Sequence, residues 1–456
     1  MKIIKLGIVL FVIVAIFGAC NNSQTVQNEQ QSDSTQLVHP KWSYNATIYE
    51  VNVRQFTEAG TFKAFEEHLP RLKAMGVDII WIMPIHPIGE KERKGSLGSY
   101  YSVKDYKGVN PEFGTMEDFK QLVNKIHELG MYVILDWVAN HTAWDNAWVS
   151  EHPEWYTKDS LGKMVSPFDW TDVADLNYDE KGLHEAMIDA LKFWITDANI
   201  DGYRCDVAEL VPVEFWNEAR TELDKIKPVF MLAEADKADL QTKAFDMTYG
   251  WEFHFIMNDV AQGKKKIKDI NEYFEREKTK YKADDFRMQF TSNHDENSWK
   301  GTEFTRLGGG YKTFAVMAAT IPGMPLIYNG QEAEMDKMLR FFEKDTIFWD
   351  KKPLEQFYTK LMTLKHNNKA LWNGERGGEM KLISNSADSV VYSFARVKDE
   401  NSVLVFLNLS ATPTKVSFKT NDFKGEYTDL FTDAKTNILD QLEISLTPWE
   451  YKVLSK

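Results

Sequence analysis

Short apolar runs recur along this 456-residue chain, separated by stretches in which apolar positions return every three or four residues. Ala46–Phe56 is rich in β-branched and aromatic residues and predicts a strand. Phe62–Met75 has helical spacing and stops before Gly76. Asp78–Pro84 is a continuous apolar run, the pattern of a strand buried on both faces. Met116–Leu129 predicts an amphipathic helix closed by Gly130, and Tyr132–Ala139 the next strand. The rhythm resumes with a helix at His184–Asp197 and strands at Gly202–Val207 and Val229–Glu234. Weaker strands follow near Phe245–Tyr249, Met288–Ser292 and Pro325–Tyr328. Eight βα units fit between Ala46 and about Asn368, which predicts either a doubly wound sheet or a (β/α)8 barrel.

Two segments break the rhythm. Residues 140–183 form a long insertion after the third strand, a small domain B carrying Trp144, Trp148, Trp155 and Trp170. Loops of that length in a compact domain usually serve function. From about Gly374 to Lys456 short alternating strands such as Val390–Val397, Ser402–Leu409 and Thr414–Phe418 replace the βα pattern, predicting a C-terminal antiparallel β-sandwich.

The N-terminus follows a different logic. Lys2 and Lys5 precede an apolar run from Leu6 to Phe17, and Gly18-Ala19-Cys20 follows. The run is short for a membrane span and has the small-residue end of a cleaved signal. Phe17-Gly18-Ala19-Cys20 resembles a bacterial lipobox, which implies a signal peptide over 1–19 and lipid attachment at Cys20. Residues 20–40 read as a flexible tether, because Gln, Asn, Ser and Thr cannot bury enough surface to fold. The expected location is therefore the cell envelope, as an exported lipoprotein. Cys205 is the one other cysteine, which excludes a disulfide framework and a four-cysteine zinc site. The net charge of −14 argues against a nucleic-acid partner.

Candidate chemistry lies at the strand ends. Asp136, Asp206, Glu234 and Asp295 each follow an apolar stretch, and all but Glu234 have an Asn, His or Arg nearby. Burying a charge there is costly, so four acids in one register point to a reacting site and not to filler. Alternation directs Cys205 away from Asp206 and into the packing outside the sheet.

At these residues the chain resembles the α-amylase family, glycoside hydrolase family 13. The matching motifs are Asp136-Trp-Val-Ala-Asn140-His141, Gly202-Tyr-Arg-Cys-Asp206, Glu234 at its strand end, and Phe290-Thr-Ser-Asn-His294-Asp295. Asp175-Leu-Asn in the insertion, Trp81-Ile-Met-Pro84 and Gly323–Glu332 also fit in family order. The resemblance implies the barrel and a retaining α-glycoside hydrolase cleaving α-1,4-glucosidic bonds in starch or malto-oligosaccharides. It implies Asp206 as nucleophile, Glu234 as acid/base with a raised pKa, and Asp295 as the acid that stabilises the distorted sugar. Arg204 would hold Asp206 ionised, His141 and His294 would bind sugar hydroxyls, and Tyr101 would stack under the ring. Asp136 and Asn140 would support the site from behind. Trp144, Trp148 and Trp251 are candidate sugar platforms.

Departures concern metal and substrate. Glu209 and Leu210 replace a Lys-His pair common in the family, and the Asp/Asn-rich loop after the first strand is missing. Asn140 and Asp175 remain as possible calcium ligands, too few to define a site, so no cofactor is expected to be required. An α-glucosidase, a neopullulanase- or cyclomaltodextrinase-like hydrolase, or a transglycosylase would share the same trio. A non-catalytic carbohydrate-binding protein would be expected to have lost part of it.

Overall fold

A computed structural model describes residues 37–456. The expected signal peptide, Cys20 and most of the tether lie outside them. The tether expected up to residue 40 ends earlier: Val38 is exposed, but His39 is buried, with Nδ1 2.8 Å from Asp246 Oδ1. A titratable side chain that finds a buried acid is part of the body.

Eight parallel strands close a barrel, in sequence order around the ring. They are β1 (Ile48–Val51), β2 (Ile79–Ile82) and β3 (Tyr132–Trp137), then, after the antiparallel pair β4 (His141–Ala143) and β5 (Val173–Asp175) in the insertion, β6 (Gly202–Cys205), β7 (Phe230–Ala233), β8 (Met247–Tyr249), β9 (Phe286–Gln289) and β10 (Met324–Tyr328). Alternation divides the core. Ile48, Trp81, Ile134, Leu232, Met247 and Met288 fill the barrel, while Tyr49, Ile80, Leu135, Tyr203 and Met231 pack outward against the helices.

The first predicted strand was too long, because Asn52 caps a short helix, Val53–Phe56, by accepting from the Gln55 N–H. The helix predicted over Phe62–Met75 is two pieces, Phe62–Glu66 and Leu69–Met75, with Pro70 in the first turn of the second. Met116–Glu128 begins in a capping box in which Thr115 and Asp118 satisfy each other's backbone N–H. Gly202 opens β6 at φ +154°, where a Cβ would lie 1.9 Å from the Phe230 carbonyl oxygen, so only glycine lets β6 approach β7 this closely.

The C-terminal region is antiparallel: β11 (Glu379–Leu382), β12 (Val391–Lys398), β13 (Asn401–Asn408), β14 (Thr414–Lys419), β15 (Gly425–Asp429), β16 (Lys435–Ile438), β17 (Gln441–Leu446) and β18 (Tyr451–Ser455). Six of these form a sheet in the order β11-β12-β13-β18-β15-β16, and β14 pairs with β17. Phe406, Phe418, Ile438 and Leu446 make the core between the two layers. Among the described residues no helix is long and apolar enough to cross a membrane.

Candidate active site

The carboxyl ends of the barrel strands open into a cleft of about 610 Å³, walled on one side by the insertion. Asp206 and Glu234 are the first residues beyond β6 and β7, and Asp136 is the penultimate residue of β3. Asp295 stands further out, six residues past the end of β9. Tyr101, His141, Asp206, Glu234, His294 and Asp295 all line the cleft.

Arg204 organises these acids. It lies beside Asp136 in the β3–β6 register, and both side chains point into the barrel. Its Nη1 donates to Asp136 Oδ1 at 2.9 Å and to Asp206 Oδ1 at 3.0 Å. Nη2 lies 3.0 Å from Glu234 Oε2 without a hydrogen bond's alignment, and Nε donates to the Tyr249 hydroxyl at 3.1 Å. One buried guanidinium thus touches three carboxylates. Glu234 Oε2 also accepts from the Val207 N–H at 2.8 Å. Val207 is held at φ +37°, a left-handed conformation strained for a β-branched residue, directly after Asp206.

The charge balance differs from the sequence-based expectation. Burial, and next the Glu234 carboxylate, push Asp206 well above the ordinary carboxylate range, although Arg204 opposes them. Burial also raises Asp136 and Asp295. A single guanidinium faces more carboxylates than it can neutralise, so Asp206, Asp136 and Asp295 all stand above the ordinary range.

The two histidines carry different charges. Burial lowers His141 to about 3, so its imidazole is neutral; Asn140 Nδ2 lies 3.2 Å from its Nδ1. Burial also acts to lower His294, but Asp295 and Glu50 override it and raise it to about 9. His294 Nδ1 is 2.5 Å from Glu50 Oε1, and Nε2 is 2.8 Å from the Tyr101 hydroxyl. The Tyr101 ring stacks on His294 at 5.5 Å between centroids, and its hydroxyl and Trp81 Nε1 both donate to Asp136 Oδ2 at 3.1 Å.

Residues 28–172 and 154–379 match the alpha amylase catalytic domain. The chain belongs to the alpha-amylase family. It is 30% identical to a noncanonic maltogenic alpha-amylase, AmyB, from Thermotoga neapolitana, with a TM-score of 0.83 over 90% of this chain and 98% of that one. An alpha-amylase structure from Lactobacillus plantarum is 32% identical, with a TM-score of 0.81 over 91% and 99%. Alpha-amylase MalA of Haloarcula japonica is 26% identical across 85% of this chain. Alpha-amylase 3 of Dictyoglomus thermophilum is 30% identical across 65%. The chain spans 59% and 65% of the length of those last two relatives.

Within this alpha-amylase fold, Trp144, Trp148 and Trp251 do not line the cleft. Trp148 packs on Tyr106 and Trp155, Trp251 stacks on Tyr249 and Phe255, and Trp144 Nε1 bonds the Thr171 carbonyl. The aromatic walls are instead Trp170 from the insertion and Trp299, Phe341 and Phe342 from segments beyond β9 and β10. Across the cleft mouth Lys94 Nζ pairs with Asp172 at 3.0 Å. Asp175 is half-buried and sits opposite His141 in the antiparallel β4–β5 pair, outside the cleft. Cys205 is fully buried between barrel and helices.

Glu50 escaped the sequence reading. Its signal was present: an acid two residues after Ile48 in an otherwise apolar strand must share the inward face. Trp299, Phe341 and Phe342 carried no comparable signal, since only the folded loops bring them to the acids.

The calcium candidates do not form a site. Asn140 turns its amide nitrogen towards His141, and burial raises Asp175 against a hydrogen bond from Thr157. Among the described residues no three His, Cys, Asp or Glu side chains converge as metal ligands. The donor set does not fit a hard cation that takes six or more oxygens.

Proposed function

We propose that the chain is a retaining α-glycoside hydrolase that cleaves α-1,4-glucosidic bonds in malto-oligosaccharides or starch. The observation that carries this reading is the convergence of Asp206, Glu234 and Asp295 on one cleft, with Arg204 bridging the first two. Glu234 donates its proton to the glycosidic oxygen as Asp206 attacks the anomeric carbon and the leaving sugar departs. Water, deprotonated by Glu234, then displaces Asp206 and restores the original configuration. Asp295 and the His294 imidazolium hold the sugar's hydroxyls, neutral His141 holds another, and the Tyr101 ring supports the sugar's apolar face. The raised Asp206 places the acidic limb of activity above the ordinary carboxylate range, because the nucleophile must ionise first.

In this mechanism Glu234→Gln slows natural maltosides at least 100-fold more than a substrate whose leaving group needs no proton, an order of magnitude taken from general-acid catalysis (~10²–10⁴-fold). Asp206→Asn abolishes turnover of both, and proton NMR of the fresh product shows the α anomer. A β anomer would falsify the mechanism. Product chromatography on maltoheptaose, amylose, pullulan and panose separates hydrolysis from transglycosylation and one linkage from another.

We further propose that no metal is required, on the mismatch of Asn140 and Asp175. Treatment with EDTA should leave activity and unfolding temperature unchanged. A loss of either that calcium alone restores would refute this. Export and anchoring through acylated Cys20 complete the proposal, supported by the apolar run and small residues that precede it.

A further inference from the structure

The cleft is walled unevenly. Its lining comes from residues 94–101, from the insertion, from the ends of β6 and β7, and from the segments after β9 and β10. No residue between 235 and 293 contributes, so the side beyond Glu234 is left without lining. In the ring of strands β7 stands across from β1, which β2 and β10 flank. The segments after β2 and β10 therefore face Glu234 from the far side of the cleft.

On that far side residues 94–97 bridge two other parts of the chain. The Leu97 N–H donates to the Phe342 carbonyl at 3.1 Å, and the Ser96 N–H to Glu343 Oε1 at 2.9 Å. Gly95 sits at φ +64°, where a Cβ would lie 2.5 Å from Phe342 Cβ, so glycine is what allows the contact. Lys94 reaches the other way and pairs with Asp172 of the insertion at 3.0 Å. Asp172 is itself held, because its carbonyl accepts from Ser102 Oγ at 3.1 Å. Trp299 packs on both Phe341 and Phe342 and extends the wall. Insertion, β2 loop and post-β10 segment thus make one continuous fence. Lys94 is its one cation that lines the cleft. Its side chain is 35% exposed and it pairs with no second acid among the described residues. An ammonium has three donors, so Lys94 keeps donors for a ligand in the cleft.

The chemistry of the cleft gives this fence a direction. Glu234 protonates the oxygen of the bond that breaks, so the reducing-end part of a glucan leaves on the unlined side. The sugar retained on Asp206 is joined through its anomeric carbon, and its 4-hydroxyl points away, towards Lys94 and Asp172. A carboxylate accepts from such a hydroxyl and an ammonium donates to it. We propose that Lys94 determines specificity: paired with Asp172, it ends the cleft, bonds the non-reducing end of the chain and limits cleavage to short fragments counted from that end. The proposal rests on the reading of the cleft as an α-glucan hydrolase.

Two maltoheptaosides test this on the full chain. Both carry a 4-nitrophenyl group at the reducing end, which marks that part of the product in chromatography. One has a free non-reducing end; in the other an ethylidene group blocks the terminal 4- and 6-hydroxyls. The wild type should release one short fragment from the free-ended substrate and cleave the blocked one at least about tenfold more slowly. Lys94→Ala should narrow that gap to about twofold and lengthen the fragments. The substitution leaves the bonds of Ser96 and Leu97 to Glu343 and Phe342 in place. Any loss of folded protein lowers both rates alike and leaves their ratio unchanged. Equal cleavage of the two substrates by the wild type would overturn the proposal, as would a gap and a fragment length that Lys94→Ala does not move. No turnover of either substrate would overturn the reading of the cleft, and this proposal with it.

Discussion

Glu50 Oε1 and His294 Nδ1 meet at 2.5 Å in the barrel interior, both almost fully buried. Burial alone would leave His294 neutral, but Asp295 and Glu50 raise it to about 9. Because the folded pKa lies above the ordinary 6.5, the stabilisation is fully present below pH 6.5 and is lost as pH rises through about 9. The shift corresponds to about 3 kcal/mol. Glu50→Gln should therefore lower the His294 pKa by at least about one unit, or about 1.4 kcal/mol. It should also cost more stability at pH 6 than at pH 10. NMR titration of the ring and denaturation at the two pH values check this, and an unmoved His294 would show that Asp295 alone sustains the imidazolium. Glu50 was legible in its strand as an inward acid; its partner was not, because 244 residues separate the two.

At the scale of elements, β9 was placed two residues too far along the chain, at Met288–Ser292 instead of Phe286–Gln289. The reason is physical. Its outward positions are Arg287 and Gln289, and Arg287 pairs with Asp236 at 2.7 Å and Glu277 at 3.0 Å, not with an apolar helix. A strand whose outer face serves ion pairs lacks the continuous apolar run of its neighbours. The segment before β1 was misread for the opposite reason, since one histidine binds it to the body. His39 lies between Asp246 and Asp284, and Asp246 also pairs with Arg220 at 2.8 Å. Burial would lower His39, but Asp246 and Asp284 raise it above 6.5. Its contribution is thus complete below that pH and fades as pH climbs through the raised value. His39→Ala should destabilise by about 2 kcal/mol at pH 6 and by clearly less at pH 9. Equal losses at both pH values, read from urea unfolding, would mean that packing of the ring on Phe286, at 4.2 Å, and not charge, holds the segment.

For the whole molecule, the described body begins at residue 37, next to the barrel, and the apolar run with Cys20 precedes it by a polar stretch. The proposed acylation of Cys20 would hold the enzyme at a membrane surface. Cys20→Ala should move the protein from the membrane fraction to the soluble one or leave its precursor unprocessed. Wild type and variant that fractionate alike, with no acyl mass on either, would refute the anchor.

The one-dimensional pattern determined the eight βα units, the insertion, the antiparallel tail and the strand-end acids. Each depends on local periodicity, and a barrel strand that buries both faces must be apolar until it reaches the solvent-facing rim. Gly202-Tyr203-Arg204-Cys205-Asp206 carries this whole logic: a glycine for close approach, alternate residues facing out, a cation and an acid facing in. Tertiary structure alone decided which charges coexist. Asp206 is raised by burial and next by Glu234 from the neighbouring strand, and His294 is a cation because Asp295 and Glu50 override its burial. The aromatic walls of the cleft and the pairing of Lys94 with Asp172 were decided in the same way. Burial and electrostatic coupling depend on distances that closing the barrel creates, and no periodicity along the chain encodes them.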